Sequence, residues 1–514
     1  MDFTLGVLTR LLALGSTLSD SPARQQCLSL KTSLKLENTT ILGVSYLPSQ
    51  SKIKTLGTCQ TTAGTSLPLC RVQFHTRTSE KSGINAEAWL PDEWYGRFMA
   101  VGNGGLNGCI GYADLDYGSS LHFATVGSNN GHDGDTALPF LNNSEVLADF
   151  SHRSIHVEAV IGKQIVEAYY GRPHDTAIYF GCSTGGRQGT QNALKYPDDF
   201  DGIIAGAPAI DFTHLVHWTG MLSRHLGAPH GSSSPSFIPL DWWEFIAEEV
   251  LRQCDTIDGV ADGIITDPDA CDFRPEELLC LPESTSKKPC LTQPQVEALR
   301  KIYSPLNGPD GSEWYPRYAP GSERSPLIPF TFSGHFPPYT EEWMKYVVLN
   351  SSSSSAFDAS AYGLPSGVLM SSVDGSEIST FSGDLSPFFT RGGKFLAFHG
   401  TADPIISPGI SKRYYNLVSR TLSLDSASLD AFYRLFLVPG MDHCTGGVGA
   451  THIGQGPGYV NASSHHVVLA MVDWVERGLA PDEIIGTAAD GVTTRRHCRY
   501  PKRSVWDGTE FVCV

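Results

Sequence analysis

Ala177-Ile178-Tyr179-Phe180-Gly181-Cys182-Ser183-Thr184-Gly185-Gly186 is the stretch from which the fold can be read. Its first four residues form a short apolar run of the kind a buried strand uses, and a helix-forming run begins near Arg187. Between them lies G-x-S-x-G, the strand-to-helix turn that presents a serine hydroxyl at the mouth of a parallel sheet. The flanking glycines permit the tight turn such a serine needs, and a neighbouring base must take its proton before it can attack a carbonyl. A plain glycine-rich connection would look similar taken alone. A phosphate-binding loop would not, because no Lys-Ser or Lys-Thr follows the glycines.

Outward from this turn, short apolar runs alternate with polar, glycine-rich turns at Ile84 to Leu90, Arg97 to Val101, His122 to Val126 and Gly202 to Ala205. Helical stretches at Ser154 to Tyr170 and Arg187 to Tyr196 intervene, so the expected core is an α/β doubly wound, mostly parallel sheet. From Ile210 to Arg391 the rhythm is replaced by Ser and Pro clusters, aromatics and four cysteines. It resumes at Lys394 to Phe398 and Tyr433 to Val438, and a last helix is expected over Ser464 to Gly478. The economical division is one α/β domain, residues 19–209 and 392–514, interrupted by an inserted domain at 210–391. The serine tract at Ser351 to Ser355 reads as a loop.

Partners for Ser183 are expected in the order acid, then histidine. His399-Gly400-Thr401-Ala402-Asp403 follows the strand at Lys394 to Phe398, which sets Asp403 at its C-terminal end, where such sheets carry their chemistry. Gly440-Met441-Asp442-His443-Cys444 follows the next strand and brings His443 to the same edge. Asp442 is a competing acid, but a carboxylate on the adjacent residue seldom bends back onto the ring, so Asp403 is preferred. Cysteines adjoin both nucleophile and base: Cys182 precedes Ser183 and Cys444 follows His443. If Ser183 and His443 come within hydrogen-bond reach, those cysteines can reach the roughly 4.4 to 6.8 Å Cα separation of a cystine. Twelve cysteines allow on the order of 10⁴ connectivities, and this one is favoured because it would staple nucleophile to base. For the oxyanion, the Thr184 amide is one expected donor. The loop Val101-Gly102-Asn103-Gly104-Gly105 offers a second from Gly104 or Gly105.

Composition bounds the setting. The 514 residues carry 37 Lys and Arg against 54 Asp and Glu, a formal net charge of -17, which argues against nucleic acid or an anionic membrane as partner. With 41% hydrophobic and 18% charged residues the chain is a packed globular one. An even set of 12 scattered cysteines without paired C-x-x-C knuckles belongs to an oxidising compartment. Sequons at Asn38, Asn142, Asn350 and Asn461 agree with a secreted glycoprotein. The apolar run Phe3 to Leu14, interrupted by Arg10 and followed by small residues at Gly15 to Thr17, is read as a signal peptide over residues 1–18. No other stretch approaches the roughly 18 to 20 apolar residues of a membrane span.

Taken together, Cys182-Ser183, Asp403 and His443-Cys444 resemble the tannase and fungal feruloyl esterase family of α/β-hydrolases. The surroundings Val101 to Gly105, Tyr196 to Gly202 and Asp473-Trp474-Val475-Glu476 are similar as well, and the likeness runs from about Cys27 to Cys513. It implies an α/β-hydrolase fold in which Ser183 is nucleophile, His443 general base and Asp403 its orienting acid, with the insertion as a lid over the substrate pocket. It also implies bridges Cys27 to Cys70, Cys59 to Cys109, Cys254 to Cys271, Cys280 to Cys290 and Cys498 to Cys513. Exchange of partners within the first two contradicts nothing in the sequence.

The segment Cys254 to Ile264 holds Asp255, Asp258 and Asp262 among turn-forming glycines, hard oxygen ligands that suit Ca²⁺ outside the cell. It lacks the spacing and terminal glutamate of an EF-hand. A metal-free cluster of Asx turns is the bland alternative. The resemblance implies a structural Ca²⁺ held by the side chains of Asp255, Asp258 and Asp262 and the carbonyls of Val260 and Ile264. It likewise implies phenolic acid esters as substrates, either hydroxycinnamates such as ferulate on plant cell-wall polysaccharide or galloyl esters of tannins. Trp242, Trp243, Phe330, Phe332 and Tyr339 of the insertion could stack on such a ring, although aromatics in an insertion more often form core. A non-catalytic, calcium-dependent glycan-binding protein on the same fold is the alternative of another class, and the intact Ser, Asp, His order speaks against it. A secreted peptidase or lipase would share the triad but not its flanking cysteines.

Overall fold

The computed structural model describes residues 21–280, 289–353, 356–458 and 460–514. The expected signal peptide at 1–18, and Ser354 and Ser355 of the serine tract, lie outside them. A nine-stranded sheet forms the centre. Its strands are β1 (Thr39–Leu47), β2 (Leu69–Arg77), β3 (Gly83–Pro91), β4 (Arg97–Val101), β5 (Phe123–Ser128), β6 (Thr176–Cys182), β7 (Gly202–Gly206), β8 (Lys394–Gly400) and β9 (Tyr433–Val438). In space they run β1-β2-β3-β5-β4-β6-β7-β8-β9. The five pairings from β5 through β9 are parallel and the three joining β1, β2, β3 and β5 are antiparallel. The sheet thus extends past the expected strands by β1 and β2. No residue of β1 is fully buried, and its apolar residues are interspersed with Thr, Gly and Ser, so it shows no apolar run to mark it.

Strand alternation divides the core into two layers. Phe98, Ala100, Ala177, Tyr179, Ile203 and Ala205 point to one face, and Met99, Val101, Ile178, Phe180 and Ile204 to the other. Four helices cover the region of interest: α1 (Tyr112–Ser120), α2 (Ser154–Tyr170), α3 (Thr184–Lys195) and α4 (Val467–Arg477). Helices α2 and α3 bury Ile155, Ala159, Ile165 and Ala193 against the first face. Tyr112 and Leu115 of α1 and Val468, Met471 and Trp474 of α4 cover the second. Each large apolar side chain buried in this way contributes about 1.5–3 kcal/mol. Helix α3 starts three residues before the expected Arg187, because the chain turns helical immediately after Ser183.

Between β7 and β8 no strand among the described residues joins the main sheet. That stretch forms helices, among them Phe212–His225, Trp243–Cys254 and Gln293–Ile302, and a two-stranded ribbon, Leu306–Asn307 with Glu313–Tyr315. The break in the strand rhythm between Ile210 and Arg391 is therefore a real change of architecture. Six disulfides tie the molecule: Cys27–Cys70, Cys59–Cys109, Cys182–Cys444, Cys254–Cys271, Cys280–Cys290 and Cys498–Cys513. The open choice among Cys27, Cys59, Cys70 and Cys109 falls to the first two pairs as named. All four sequon asparagines are exposed. No helix among the described residues is long and apolar enough to cross a membrane.

Candidate active site

Ser183 stands at the C-terminal end of β6 with φ 63° and ψ −124°, a conformation that costs a non-glycine residue on the order of 1–3 kcal/mol. Neighbouring backbone holds it there: the Ser183 amide donates to the Gly206 carbonyl at 2.9 Å, and its carbonyl accepts from Ala209 at 3.0 Å. The turn is tight enough that the following helix meets the loop after β4 backbone to backbone. A Cβ on Gly102 would lie 2.7 Å from Gly185 Cα, so only glycine fits at this contact.

His443, from the loop after β9, opens onto the same cavity of about 630 Å³ as Ser183. Its Nδ1 donates to Asp403 Oδ2 at 2.7 Å. Asp403 is fully buried at the end of β8, and its Oδ1 accepts from the amides of Ile405 at 2.9 Å and Ile406 at 3.0 Å. Burial alone would raise this carboxyl, but the charge of His443 and the hydrogen bonds of His399 and His443 outweigh it and hold Asp403 well below the ordinary carboxylate range. Asp442 is not on the ring. Burial pushes its carboxyl up to about 6, against a hydrogen bond from Ser325 that lowers it. The cystine Cys182–Cys444, with a Cα separation of 6.0 Å, joins the residue before Ser183 to the residue after His443.

Gly104 and Gly105 both border the cavity beside Ser183. The Thr184 hydroxyl donates to the Gly105 carbonyl at 2.7 Å, which locks the loop to the first turn of α3. As the first residue of that helix, Thr184 has an amide without an intrahelical acceptor. Beneath the loop a buried network fixes its shape. Gln188 Oε1 accepts from the Asn103 amide at 3.0 Å, and Asn103 Nδ2 donates to the carbonyls of Cys109 and Ser128 at 2.8 Å each.

Of Trp242, Trp243, Phe330, Phe332 and Tyr339 in the insertion, Phe330 and Tyr339 reach the cavity, their rings 5.5 Å apart. Trp243 and Phe332 stack on each other in the core at 4.3 Å, and Trp242 packs against that core. Sequence reasoning did not identify His399. Its Nε2 lies 3.3 Å from Asp403 Oδ2 and 3.0 Å from the Ile406 carbonyl, while Nδ1 meets the Ser411 hydroxyl at 2.7 Å. Inside a strand, a histidine of this kind carries no pattern of its own.

The acidic loop at 255–264 is closed upon itself. Asp255 accepts from the amides of Gly263 and Ile264, and the buried Arg495 reaches Asp258 at 3.0 Å and Asp262 at 3.2 Å. As arranged, no group of three or more His, Cys, Asp or Glu among the described residues could hold a metal ion. The donors fit Ca²⁺ in kind, all being hard oxygens, and in charge, since three carboxylates against one guanidinium leave two negative charges. Far from Asp403 in the chain, the loop is near it in space: the Ile265 carbonyl accepts from Thr401 Oγ1 at 3.1 Å.

Comparison with known proteins finds relatives along nearly the whole chain. The family described as tannase and feruloyl esterase matches residues 70–514. A probable feruloyl esterase B-1 of Neosartorya fischeri is 40% identical, over 98% of this chain and 97% of the relative. Feruloyl esterase B of Aspergillus niger is 41% identical over 95% and 94% of the two chains. The crystal structure of feruloyl esterase B from Aspergillus oryzae superposes with a TM-score of 0.92 at 39% identity, over 96% of this chain and all of that one.

Proposed function

The chain belongs to the tannase and feruloyl esterase family, and from that footing we propose that it is a secreted serine esterase cleaving hydroxycinnamoyl esters of plant cell-wall polysaccharide through an acyl-enzyme on Ser183. It is a carboxylic ester hydrolase of the α/β-hydrolase type. The observation that carries the mechanism is that Ser183, on a positive-φ turn, and His443, held by Asp403 at 2.7 Å, open onto one cavity. In the proposed reaction His443 takes the hydroxyl proton of Ser183 as the oxygen attacks the ester carbonyl. The amides of Thr184 and of Gly104 or Gly105 hold the tetrahedral oxyanion. His443 returns the proton to the leaving alcohol. Water, activated by the same imidazole, then releases the acid. Asp403 stays ionised and orients the ring, while Cys182–Cys444 keeps the two loops in register.

The inserted segment serves as a lid, with Phe330 and Tyr339 against the phenolic ring. Hydroxycinnamate is preferred to gallate because the relatives named above are feruloyl esterases. Six disulfides with no free cysteine among the described residues, and four exposed sequons, support the extracellular assignment. The loop at 255–264 is proposed to hold a structural Ca²⁺ through Asp255, Asp258, Asp262 and the carbonyls of Val260 and Ile264. Such an ion would supply charge neutralisation and no chemistry. The substrate reading is tested by presenting methyl ferulate, methyl caffeate and methyl gallate to one preparation. Ferulate and caffeate should be hydrolysed at least about tenfold faster than gallate, and the reverse order would reassign the enzyme to galloyl esters.

A further inference from the structure

Three ionisable side chains border the cavity: His443, Tyr339 and Asp114. His443 is bonded to Asp403, and the Tyr339 hydroxyl donates to Asp135 at 3.2 Å. No hydrogen bond or ion pair reaches the Asp114 carboxyl from any described residue. Burial is the one influence on it, lifting it to about 6. Among the amide side chains of the cavity, Asn103, Asn107 and Gln455 are engaged, Asn107 accepting from the Cys109 amide at 3.4 Å. Asn103 is bonded to two carbonyls, and Gln455 to Thr451 and Ile453.

Local structure explains the exposed carboxyl. Asp114 lies in the first turn of α1, directly after the loop bearing Gly104 and Gly105, where the helix end tolerates a negative charge. A Cβ on Gly111 would sit 3.0 Å from Asp114 Oδ2. Glycine at that position leaves the oxygen uncovered on the side where any other residue would crowd it. The remaining walls include Phe330, Phe398 and Ile405, apolar surfaces suited to a flat ring. An unpaired carboxyl in such surroundings is costly unless a ligand donates to it.

We propose that Asp114 is the specificity-determining residue for the acyl group, accepting a hydrogen bond from the free 4-hydroxyl of a hydroxycinnamoyl ring bound between the oxyanion loop and Phe330. The inference rests on the hydroxycinnamoyl reading. Ferulate carries a methoxy group at position 3, so its 4-hydroxyl is the one donor on the ring, and a charged acceptor recognises it more strongly than a neutral one. Methylating that hydroxyl removes the donor and sets an apolar methyl group against the Asp114 carboxyl, displacing its water without replacing the hydrogen bond.

The test compares kcat/KM for methyl ferulate and for its 4-O-methyl ether, methyl 3,4-dimethoxycinnamate, in wild type, Asp114→Asn and Asp114→Leu, with melting temperatures to verify folding. Wild type should prefer the free phenol by about 10- to 100-fold, the range expected of a hydrogen bond to a charged group. Asn should retain part of that preference and Leu should bring the ratio close to one. A change in this ratio distinguishes recognition from a structural role, which would depress both substrates alike. Wild type alone can refute the inference by hydrolysing both esters equally well, whether or not the variants fold. A preference that survives in Asp114→Leu overturns it and leaves the feruloyl reading intact. Hydrolysis of methyl gallate with neither cinnamate touched overturns the substrate reading and this inference with it.

Discussion

Both oxygens of Asp403 are engaged, one by two backbone amides and the other by His443 and His399. A group held so firmly ionised can orient an imidazole and stabilise its charged form without taking the proton itself. Asp403→Asn should therefore lower kcat by about 10⁴ with little change in KM, as the wrong tautomer of the histidine is favoured. Steady-state kinetics on methyl ferulate would show this, and a variant within tenfold of wild type would remove Asp403 from the mechanism. Glu323, in the inserted segment, behaves in the opposite way. Burial raises its carboxyl from 4.5 to about 7, although the Tyr303 hydroxyl and the Gly321 amide donate to it. An acid raised in the folded state binds more protons there than when unfolded, so its contribution to stability falls as pH rises from about 4.5 to 7. Relative to Glu323→Gln, the wild type should lose on the order of 3 kcal/mol across that window. Denaturation at both pH values measures it, and a flat difference contradicts the assignment. Ser183 was legible because its glycine-flanked turn lies between an apolar run and a helical one, and because an acid and a histidine follow later strands in order. Asp114 was not: an acidic residue in a helical stretch reads as a solvated charge until the fold turns it toward a cavity.

At the scale of elements, the site is where three strand ends meet. Loops after β6, β8 and β9 deliver Ser183, Asp403 and His443, and the loop after β4 lies beside them. The parallel strands were readable as short apolar runs, whereas β1 and β2 form an antiparallel extension in which β1 buries no residue fully and β2 carries polar residues such as Arg71 and Gln73 within it. The Cys182–Cys444 cystine bridges 262 residues of sequence to join two of these loops. In the double variant Cys182→Ala, Cys444→Ala, assayed well below its melting temperature, kcat should drop by about 10²-fold, the cost of displacing reacting groups by an ångström. Full turnover with only a lowered melting temperature would make the bond a structural crosslink.

For the molecule as a whole, an acidic chain with six cystines is built around a central nine-stranded sheet, and the inserted segment contributes both to the core and to the lining of the cavity at Ser183. The loop at 255–264 shows why its placement could not be inferred from sequence distance. Its neighbour Ile265 bonds to Thr401, and Ile264 packs against the glycine that begins the His443 loop, a Cβ on Gly440 lying 3.3 Å from Ile264 Cγ2. If the loop holds Ca²⁺, chelation should lower the melting temperature by a few °C and added Ca²⁺ should restore it. An unchanged transition would mean that Arg495 alone neutralises the carboxylates. The central claim, hydrolysis through an acyl-enzyme on Ser183, is tested most directly by treating the protein with an organophosphonate ester analogue and measuring adduct position and residual activity by peptide mass spectrometry and methyl ferulate hydrolysis. The account predicts one adduct, on Ser183, complete loss of hydrolysis, and a Ser183→Ala protein that is unlabelled and about 10⁶-fold less active. Continued turnover by Ser183→Ala at the wild-type rate, or inactivation through an adduct on another residue, would contradict it.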